Sequence, residues 1–577
     1  MNSEIKICQN CKQNFVIEEE DFVFYEKIKV PPPTWCPECR RQRRLAWRND
    51  LIFYSRNCDL CKKSIVSLYV PDAPRVVFCN KCWWSDKWDP KDYAMDYDAG
   101  RSFFEQFSEL QSKIPTLALV NDNGIASVNC EYTHDFAYGK NCYMTIVAWR
   151  VENCLYSYYL VAGKDIVDSM SIFEESNFLY ESIFSGRSYR CRNVYYSDNL
   201  SNCSFCYDCK DCSDCFLSVG LRHKKYCFKN KQYAKEEYEK ILADYRLDTY
   251  TGTESAKKEF VSLLTQYPRK FANLKQSVNC TGDDLNHCKN VKNSFNIGRG
   301  EDLRFFESGD GPKDSYDITV GGEHNQCYEC LTPDHSYRGL FTIYSWKNQE
   351  ISYCENCHSS KYLFGCAGMK KSSHCILNKQ YSEKEYKALK AKIIERMKED
   401  NEWGQFFPSR YSPFGYNETL AEIYFPLEKE DAKQGGFKWQ ENLQFTAQKE
   451  TLKSSEIPDS IQDISDNILD EVLSCLSCHR NYRIIPQELT FYREMRIPIP
   501  RQCFYCRNRA RFAFRNPYKL WHRKCTCGGE KSENGIYQNQ TSHFHGSSHC
   551  PNEFETSYAP DRPEIVYCEQ CYQTEVQ

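Results

Sequence analysis

The chain has 577 residues, of which 35 are cysteine and 15% are aromatic, and its formal net charge is -4. This aromatic content supplies enough ring surface for several cores and excludes a disordered chain. No apolar run approaches the roughly 18 residues of a membrane span, and the first residues lack the apolar stretch of a signal peptide. We therefore expect a cytoplasmic protein with no membrane partner. In a reducing compartment its cysteines are metal ligands or small buried side chains, not a disulfide framework.

Four Cys-x2-Cys pairs open the chain and predict a two-zinc module over residues 1–95. Two such pairs on tight turns close a tetrahedral all-thiolate site, which is structural because no position is left for water. The simplest pairing is sequential, with one zinc on the first four cysteines and one on the last four, and the spacing also allows an interleaved pairing. The predicted ligands are Cys8, Cys11, Cys36, Cys39, Cys58, Cys61, Cys79 and Cys82.

Residues 471–577 repeat this module. Cys8, Cys36 and Cys58 each have a counterpart 467 residues later, and aromatic, proline and arginine positions match at the same offset, which indicates an internal duplication. The copy departs from the first at its third pair, which is Cys-x-Cys, and in the long segment that follows. Further ligand candidates in that segment are His543, His545, His549 and Cys550. We predict four zinc ions in all, the second two on Cys475, Cys478, Cys503, Cys506, Cys525, Cys527, Cys568 and Cys571.

Each module becomes rich in arginine after its second cysteine pair. In the first copy Arg40, Arg44 and Arg48 lie four residues apart and share a helical face. One interpretation is that they offset the charge of the zinc site and donate hydrogen bonds to sulfur. The other is that they bind phosphate groups of RNA or DNA. The predicted nucleic-acid-binding residues are Arg40, Arg41, Arg44, Arg48, Arg507, Arg511 and Arg515.

Two stretches carry a resemblance to known families. The segment Cys8-x2-Cys11-x3-Phe15, with Phe24-Tyr25, Pro33 and Cys36-Pro37-Glu38-Cys39-Arg40, resembles the treble-clef-like zinc-ribbon domain of many bacterial proteins. The segments Cys82-Trp83-Trp84-Ser85-Asp86-Lys87-Trp88 and Ser102-Phe103-Phe104-Glu105-Gln106-Phe107 resemble a family of large zinc-ribbon proteins of candidate-phyla bacteria. The resemblance extends over most of the chain. It implies the domain layout and no particular activity.

A 12-residue rhythm occupies the middle of the chain. Cys130, Cys142 and Cys154 are 12 residues apart, and after a one-residue slip the rhythm resumes at Cys191. Asparagine precedes many of these positions, and aromatic and β-branched residues follow them, which predicts short strands and turns of a β-solenoid. Cysteine suits the stacked interior position because it is small and apolar. The phrase Asn-Lys-Gln-Tyr at Asn230 recurs 148 residues later, so we predict that the solenoid is duplicated and that each copy ends in a capping helix.

The run of five cysteines from Cys203 to Cys215, each separated by two residues, superficially resembles an iron–sulfur motif. Cys203 and Cys215 fall on the 12-residue rhythm, and the second copy keeps cysteine only at Cys354 and Cys357. We therefore predict that this run belongs to the core and binds no iron.

The sequence thus predicts a mainly β protein: a duplicated β-solenoid with helical caps, flanked by two duplicated cysteine-rich zinc modules. The predicted order is 1–95 zinc-ribbon module, 96–112 connecting helix, 113–230 solenoid copy A, 231–276 helical cap and linker, 277–378 solenoid copy B, 379–400 capping helix, 401–470 extended strap and linker, and 471–577 second zinc module.

No nucleophile–base pair, phosphate loop or open metal site is visible, so we predict a protein that is not an enzyme. We favour nucleic-acid binding through the arginine helices, with the solenoid as a spacer. The first alternative is a scaffold for protein partners, and the second is a solenoid-based enzyme or a metal or redox protein. The sequence makes no prediction of oligomeric state.

Overall fold

A computed structural model describes residues 2–124, 126–172, 176–443, 446 and 448–576. The chain forms two compact units, each assembled from two separate segments. The first unit comprises Met1–Val120 and Leu274–Leu443, and the second comprises Asn121–Asn273 and Gln444–Gln577. The prediction of a mainly β protein with cysteine clusters near both ends is confirmed. Among the helices of the described residues, none has the length and apolar character that crossing a lipid bilayer requires.

The first unit combines the N-terminal module with a stack of parallel strands, here called stack B. The module's strands are Glu4–Ile7, Asn14–Ile17, Tyr54–Asn57, Ser64–Ser67, Val76–Phe78 and Pro115–Leu117. Its helices are Glu19–Ile28, Pro37–Leu45, Asn80–Trp83 and Phe103–Lys113, with a 3-10 turn at Pro90–Tyr93. The strands of stack B are Leu274–Lys275, Gly282–Asn286, Lys289–Lys292, Ser294–Gly298, Glu301–Arg304, Glu307–Asp310, Lys313–Gly321, Tyr328–Leu331, Tyr337–Ile343, Gln349–Glu355, Lys361–Phe364, Ser373–Ile376 and Lys379–Gln380. Later elements are helices Glu383–Glu399, Leu420–Tyr424 and Lys429–Gln434, and 3-10 turns Ser409–Tyr411 and Tyr416–Glu418.

The second unit combines stack A with the C-terminal module. The strands of stack A are Val128–Glu131, His134–Ala137, Lys140–Tyr143, Ile146–Trp149, Tyr158–Val161, Ile166–Val167, Met170–Ile172, Asn177–Tyr180, Tyr189–Tyr195, Ser204–Tyr207, Ser213–Val219, Lys225–Phe228 and Lys231–Gln232. Helices Lys235–Asp244 and Tyr250–Leu264 and strand Arg269–Lys270 follow. The module has strands Leu473–Ser474, Asn481–Tyr482, Trp521–Lys524, Glu553–Thr556 and Val566–Tyr567, helices Pro486–Met495, Phe504–Phe514 and Glu569–Val576, and 3-10 turns Ile461–Asp463 and Asp466–Leu469.

Most parallel pairs in both stacks have an offset of 12 residues. In stack A, Ile146 pairs with Tyr158 and Tyr158 with Met170. The one-residue slip falls between Ile166 and Leu179, which pair at an offset of 13. The same 12-residue offset joins strands in stack B, for example in the ladder that contains Tyr316–Tyr328.

A turn at nearly every third residue explains this offset. Asn129, Tyr132, Asp135 and Tyr138 all have φ between 50° and 58°, in the left-handed region that L-residues reach only at a cost. Residues that pair in parallel, such as Cys130 and Cys142, are 12 residues apart and are therefore separated by four such turns along the chain. Asparagine and aspartate tolerate the left-handed turn best, and their amides also pair along the stack: Asn129 donates to Asn141 at 3.0 Å.

The residue after most of these turns faces the core, and in many turns it is small. Cys130 is 1% exposed and pairs with Cys142 along the ladder. Interior thiols and hydroxyls both donate hydrogen bonds to the backbone carbonyl two residues before them. Cys206 donates to the carbonyls of Ser204 and Cys215, both at 3.6 Å, and Ser157 donates to the carbonyl of Leu155 at 2.9 Å. A period of three therefore produces Cys-x2-Cys spacing without any metal chemistry.

The asparagine of the recurrent Asn-Lys-Gln-Tyr phrase lies just before the last short strand of each stack. The Asn378 amide accepts from the Ala367 N–H and donates to the Ala367 carbonyl, both at 2.9 Å. Asn230 does the same with Val219, at 2.8 and 2.7 Å. A side-chain amide thus replaces the next strand and satisfies backbone groups that would otherwise be left at an open edge. A helix follows each of these asparagines.

The segment 406–416, predicted to be an extended strap, packs within the first unit. The Phe407 ring stacks on Phe107 at 5.1 Å and lies 5.5 Å from Trp47. The Ser412 hydroxyl donates to the Ala46 carbonyl at 2.8 Å.

Candidate metal centres

The first cysteine group joins a turn to the start of a helix. Cys8 and Cys11 lie on the turn, and Cys36 and Cys39 lie at the N-terminus of helix Pro37–Leu45. The Cys11 and Cys36 sulfurs are 3.7 Å apart, and the Cys36 N–H donates to the Cys8 sulfur at 3.2 Å. All four sulfurs lie within 4.8 Å of one another and could hold a metal ion.

The second group repeats this arrangement. Cys58 and Cys61 lie on a turn, and Cys79 and Cys82 lie at the start of helix Asn80–Trp83. The Cys61 and Cys79 sulfurs are 3.9 Å apart, and the Cys79 N–H donates to the Cys58 sulfur at 3.3 Å. The structure therefore brings the eight cysteines together as two sequential groups, not as interleaved ones.

The third group is the counterpart of the first. It contains Cys475 and Cys478 on a turn with Cys503 and Cys506 at the start of helix Phe504–Phe514, and the Cys478 and Cys503 sulfurs are 3.6 Å apart. Burial raises the pKa of the Cys475 thiol, but N–H groups directed at its sulfur outweigh this effect and lower the pKa to about 7. Cys8 has the same balance and the same pKa of about 7. Such a thiol readily becomes the thiolate that a metal requires.

The fourth group differs from the prediction. It consists of Cys525, Cys550, Cys568 and Cys571, so Cys550 takes the place that sequence analysis gave to Cys527. The Cys550 sulfur lies 3.9 Å from Cys568 and 3.6 Å from Cys571. The reason is that Cys525-x-Cys527 forms no two-residue turn, and the chain makes a long excursion before it returns at Cys550.

A signal in the sequence identifies Cys550. It precedes Cys568 by 18 residues, the same separation as that between Cys61 and Cys79. Hydrogen bonds confirm the equivalence: the Cys58 N–H donates to the carbonyl of Lys63, and the Cys525 N–H donates to that of Asn552, both at 2.9 Å. The offset between the modules therefore changes from 467 to 489 residues, which places an insertion of 22 residues between Cys525 and Cys550.

The insertion contributes a fifth group, formed by Cys527, His543, His545 and Cys571. Cys571 belongs to both this group and the fourth. His549, which sequence analysis offered as a further candidate, belongs to neither group and is exposed. A hydrogen bond from Cys571 is the largest cause that lowers the pKa of the Cys527 thiol to about 5, with further help from the N–H of Gly529 and the Asn539 amide.

The predicted nucleic-acid-binding arginines lie inside the units. In the first unit, Arg40 and Arg44 both donate to Asp317, at 2.7 and 3.1 Å, and none of the three side chains is more than 1% exposed. Asp317 and its neighbours raise the pKa of Arg40 well above its ordinary value although burial opposes this. The anion that sequence analysis expected to be a phosphate is here a carboxylate of stack B.

The other two predicted arginines of the first unit, Arg41 and Arg48, also point inward. Arg41 is largely buried and donates to Glu307 at 2.6 Å. The Arg48 side chain is fully buried and donates to Asp50 at 2.9 Å.

The second unit repeats this arrangement. Arg507 and Arg511 donate to the fully buried Asp168 of stack A, at 3.1 and 2.9 Å. Arg515 is buried and donates to the Tyr518 hydroxyl at 2.8 Å. Asp168 and Asp317 were not predicted, because the left-handed turn position that they occupy is shared with many solvent-facing residues.

The cysteine run from Cys203 to Cys215 lies in the core of stack A. Its members are at most 2% exposed and belong to one buried cluster. Among the residues that the structure describes, no metal-ligand group forms from this run.

Comparison of the chain with protein-family models and with curated proteins gives no match.

Proposed function

We propose that this chain is a non-catalytic zinc protein that acts as a binding scaffold. In this proposal its cysteine groups hold structural zinc, its two stacks are closed β-solenoids, and matching faces of the two solenoids bind a partner. The resemblance to large zinc-ribbon proteins supports the layout.

The sulfur geometry supports zinc. A tetrahedron whose centre lies about 2.3 Å from each sulfur has edges of about 3.8 Å. The sulfur–sulfur distances of 3.7, 3.9, 3.6 and 3.9 Å, one from each of the first four groups, fit that edge. Disulfides require about 2.05 Å and do not fit. Four thiolates leave no open position, so zinc would cross-link each module rather than activate water.

The observation that carries the scaffold proposal is a row of outward residues that recurs in the two stacks, here called the shared face. In stack A, Val128, Lys140, Glu152 and Lys164 pair in succession, and Asn177 pairs with Tyr189. In stack B the same residue types occur in the same order and pair without interruption. The shared face of stack B consists of Val278, Lys289, Glu301, Lys313, Asn325 and Tyr337.

A role in folding accounts for only some of the residue types that the shared faces of the two stacks have in common. The central glutamate binds lysines on both sides, at 3.2 and 3.5 Å in stack A and at 3.5 and 3.4 Å in stack B. The apolar residues have no such role: Val128 and Val278 are 66% and 69% exposed, and Tyr189 and Tyr337 are 49% and 37% exposed. Tyrosine is enriched in surfaces that bind other proteins, and the exposed valine adds apolar area at the other end of the same row. Two such faces on one chain would bind a repeated partner with increased avidity.

Site-specific photo-crosslinking tests this function. A photoreactive phenylalanine analogue replaces Tyr189 or Tyr337 in the producing cell, and Tyr138, which is 59% exposed in stack A but lies outside the shared face, serves as the matched control. We expect the same adduct from Tyr189 and Tyr337 and none from Tyr138. The proposal is contradicted if Tyr189 and Tyr337 give different adducts, or if the Tyr138 position gives the same adduct as they do.

A second candidate function is binding of a polyanion such as RNA, on a different surface from the one that sequence analysis favoured. Lys347, Lys361 and Lys371 line one groove of stack B together with His335 and Tyr337. Fluorescence anisotropy with single-stranded RNA tests it. Changing the three lysines to glutamate should abolish salt-dependent binding, whereas the same change at exposed Lys384, Lys392 and Lys398 should preserve it.

A further inference from the structure

The inserted segment of the C-terminal module carries its own set of metal-ligand atoms. Insertion of 22 residues between Cys525 and Cys550 separates two ligands that are only three residues apart in the first module. A loop of this length has a considerable conformational entropy that an internal cross-link would reduce. Its residues Cys527, His543 and His545 converge on Cys571, with all four ligand atoms within 4.8 Å of one another.

His543 has the environment of a metal-bound imidazole. Its Nε2 lies 2.9 Å from the Glu575 carboxylate, and both side chains are fully buried. Its Nδ1 is also buried and has no hydrogen-bond partner among the described residues. A carboxylate that fixes one ring nitrogen and leaves the other for a metal is the usual arrangement around a ligating histidine. Without a ligand, that buried nitrogen would be left unsatisfied, which is unfavourable for a buried polar group.

His545 leads to the same conclusion. Its Nδ1 lies 2.6 Å from the carbonyl oxygen of Ser548, so this nitrogen carries the hydrogen. In a neutral imidazole Nε2 then has only a lone pair, and it lies 3.3 Å from the Cys571 sulfur. If Cys571 is the thiolate that the fourth group requires, two electron-rich atoms face each other. A shared cation resolves this repulsion.

Cys571 is the point at which the two groups meet. Its sulfur is within reach of the cysteine group formed with Cys525, Cys550 and Cys568, and also of the group on the insertion. A thiolate has more than one lone pair and can bind two ions. Each ion would then have four ligands, as zinc prefers.

We propose that the C-terminal module holds two zinc ions bridged by the Cys571 thiolate, one on Cys525, Cys550 and Cys568 and the other on Cys527, His543 and His545. The full chain then binds five zinc ions instead of four. This inference rests on the zinc-binding part of the proposed function and adds a site that stabilises the insertion.

Native mass spectrometry of the full chain counts the ions. We expect five zinc ions in the unmodified protein and four in the C527S/H543Q variant. The H549Q variant changes an exposed histidine of the same insertion and should keep five. Four ions in both the unmodified protein and C527S/H543Q overturn the fifth site while the structural zinc proposal stands. Fewer than four in the unmodified protein contradict the zinc part of the proposed function itself.

Cadmium-113 NMR tests the bridge without any variant. After replacement of zinc by cadmium-113, two resonances should show mutual coupling through one sulfur, and one of them should carry the shift of a mixed sulfur and nitrogen site. Five resonances without any such coupling overturn the bridge.

Discussion

Arg40 donates a hydrogen bond to Asp317 over 2.7 Å, and the two side chains are 1% and 0% exposed. Arg507 and Asp168 form the equivalent pair in the second unit, at 3.1 Å. Within each unit this pair attaches a cysteine-rich module to a parallel stack. The first module is attached to the second stack in the chain, and the second module to the first stack.

Neutralising Asp317 should destabilise the first unit. The D317N variant keeps the shape of the side chain but removes the carboxylate that Arg40 and Arg44 share, which costs about 3–5 kcal/mol because Arg40 is buried. D302N is the matched control, because Asp302 is exposed and accepts a hydrogen bond from the Asn290 amide, a neutral donor. Denaturant unfolding measures the free energy of unfolding of D317N and of D302N. A D317N protein as stable as D302N would show that the pair does not hold the module.

The core cysteines should tolerate serine. Cys206 donates to two carbonyl oxygens as a protonated thiol, and serine occupies the equivalent interior position at Ser157 and Ser218. We expect C206S to fold and to retain the full metal content, whereas C568S should lose metal. Elemental analysis of the two purified variants checks this. Loss of metal from C206S would restore the cofactor interpretation of the cysteine run.

Acid should destabilise the first unit through His324. Burial lowers the pKa of His324 from 6.5 to about 3, and the ring stacks on Phe306 at 5.6 Å. Between these two pKa values the unfolded chain binds a proton that the folded chain does not, so the free energy of unfolding falls as the pH falls.

The measurement compares the unmodified protein with H324L, which shares every metal site and so cancels the effect of metal release. Between pH 7 and pH 5, the free energy of unfolding of the unmodified protein should fall by about 2 kcal/mol relative to that of H324L. If the difference in free energy of unfolding between the two proteins does not change with pH, His324 does not destabilise the folded protein in acid.

Asn378 should control the end of stack B. The N378L variant loses both hydrogen bonds to the Ala367 backbone and a third to the Pro90 carbonyl, and leaves buried polar groups unsatisfied. Hydrogen exchange at the Ala367 amide should accelerate by one order of magnitude or more, as expected for about 1–3 kcal/mol. The amide of Ile146, in the other unit, should not change. Unaltered exchange at Ala367 would refute the capping role.

Much of this architecture can be predicted from the spacing of cysteine and asparagine residues, because each short motif can be recognised without knowing its partners in the fold. The 467-residue offset located the two modules, and the 12-residue rhythm located the strands that pair. Cys550 could have been found from its 18-residue distance to Cys568. The partners of the arginines could not, since Arg40 and Asp317 are 277 residues apart and an arginine-rich helix has the same sequence whether it faces phosphate or carboxylate.

Anomalous X-ray diffraction on either side of the zinc absorption edge tests the central claim most directly. We predict peaks at the groups containing Cys8, Cys58 and Cys475, and two neighbouring peaks on either side of Cys571. We predict no peak within the run from Cys203 to Cys215. Zinc inside that run, or modules without zinc, would contradict the account of structural metal centres attached to a metal-free stack.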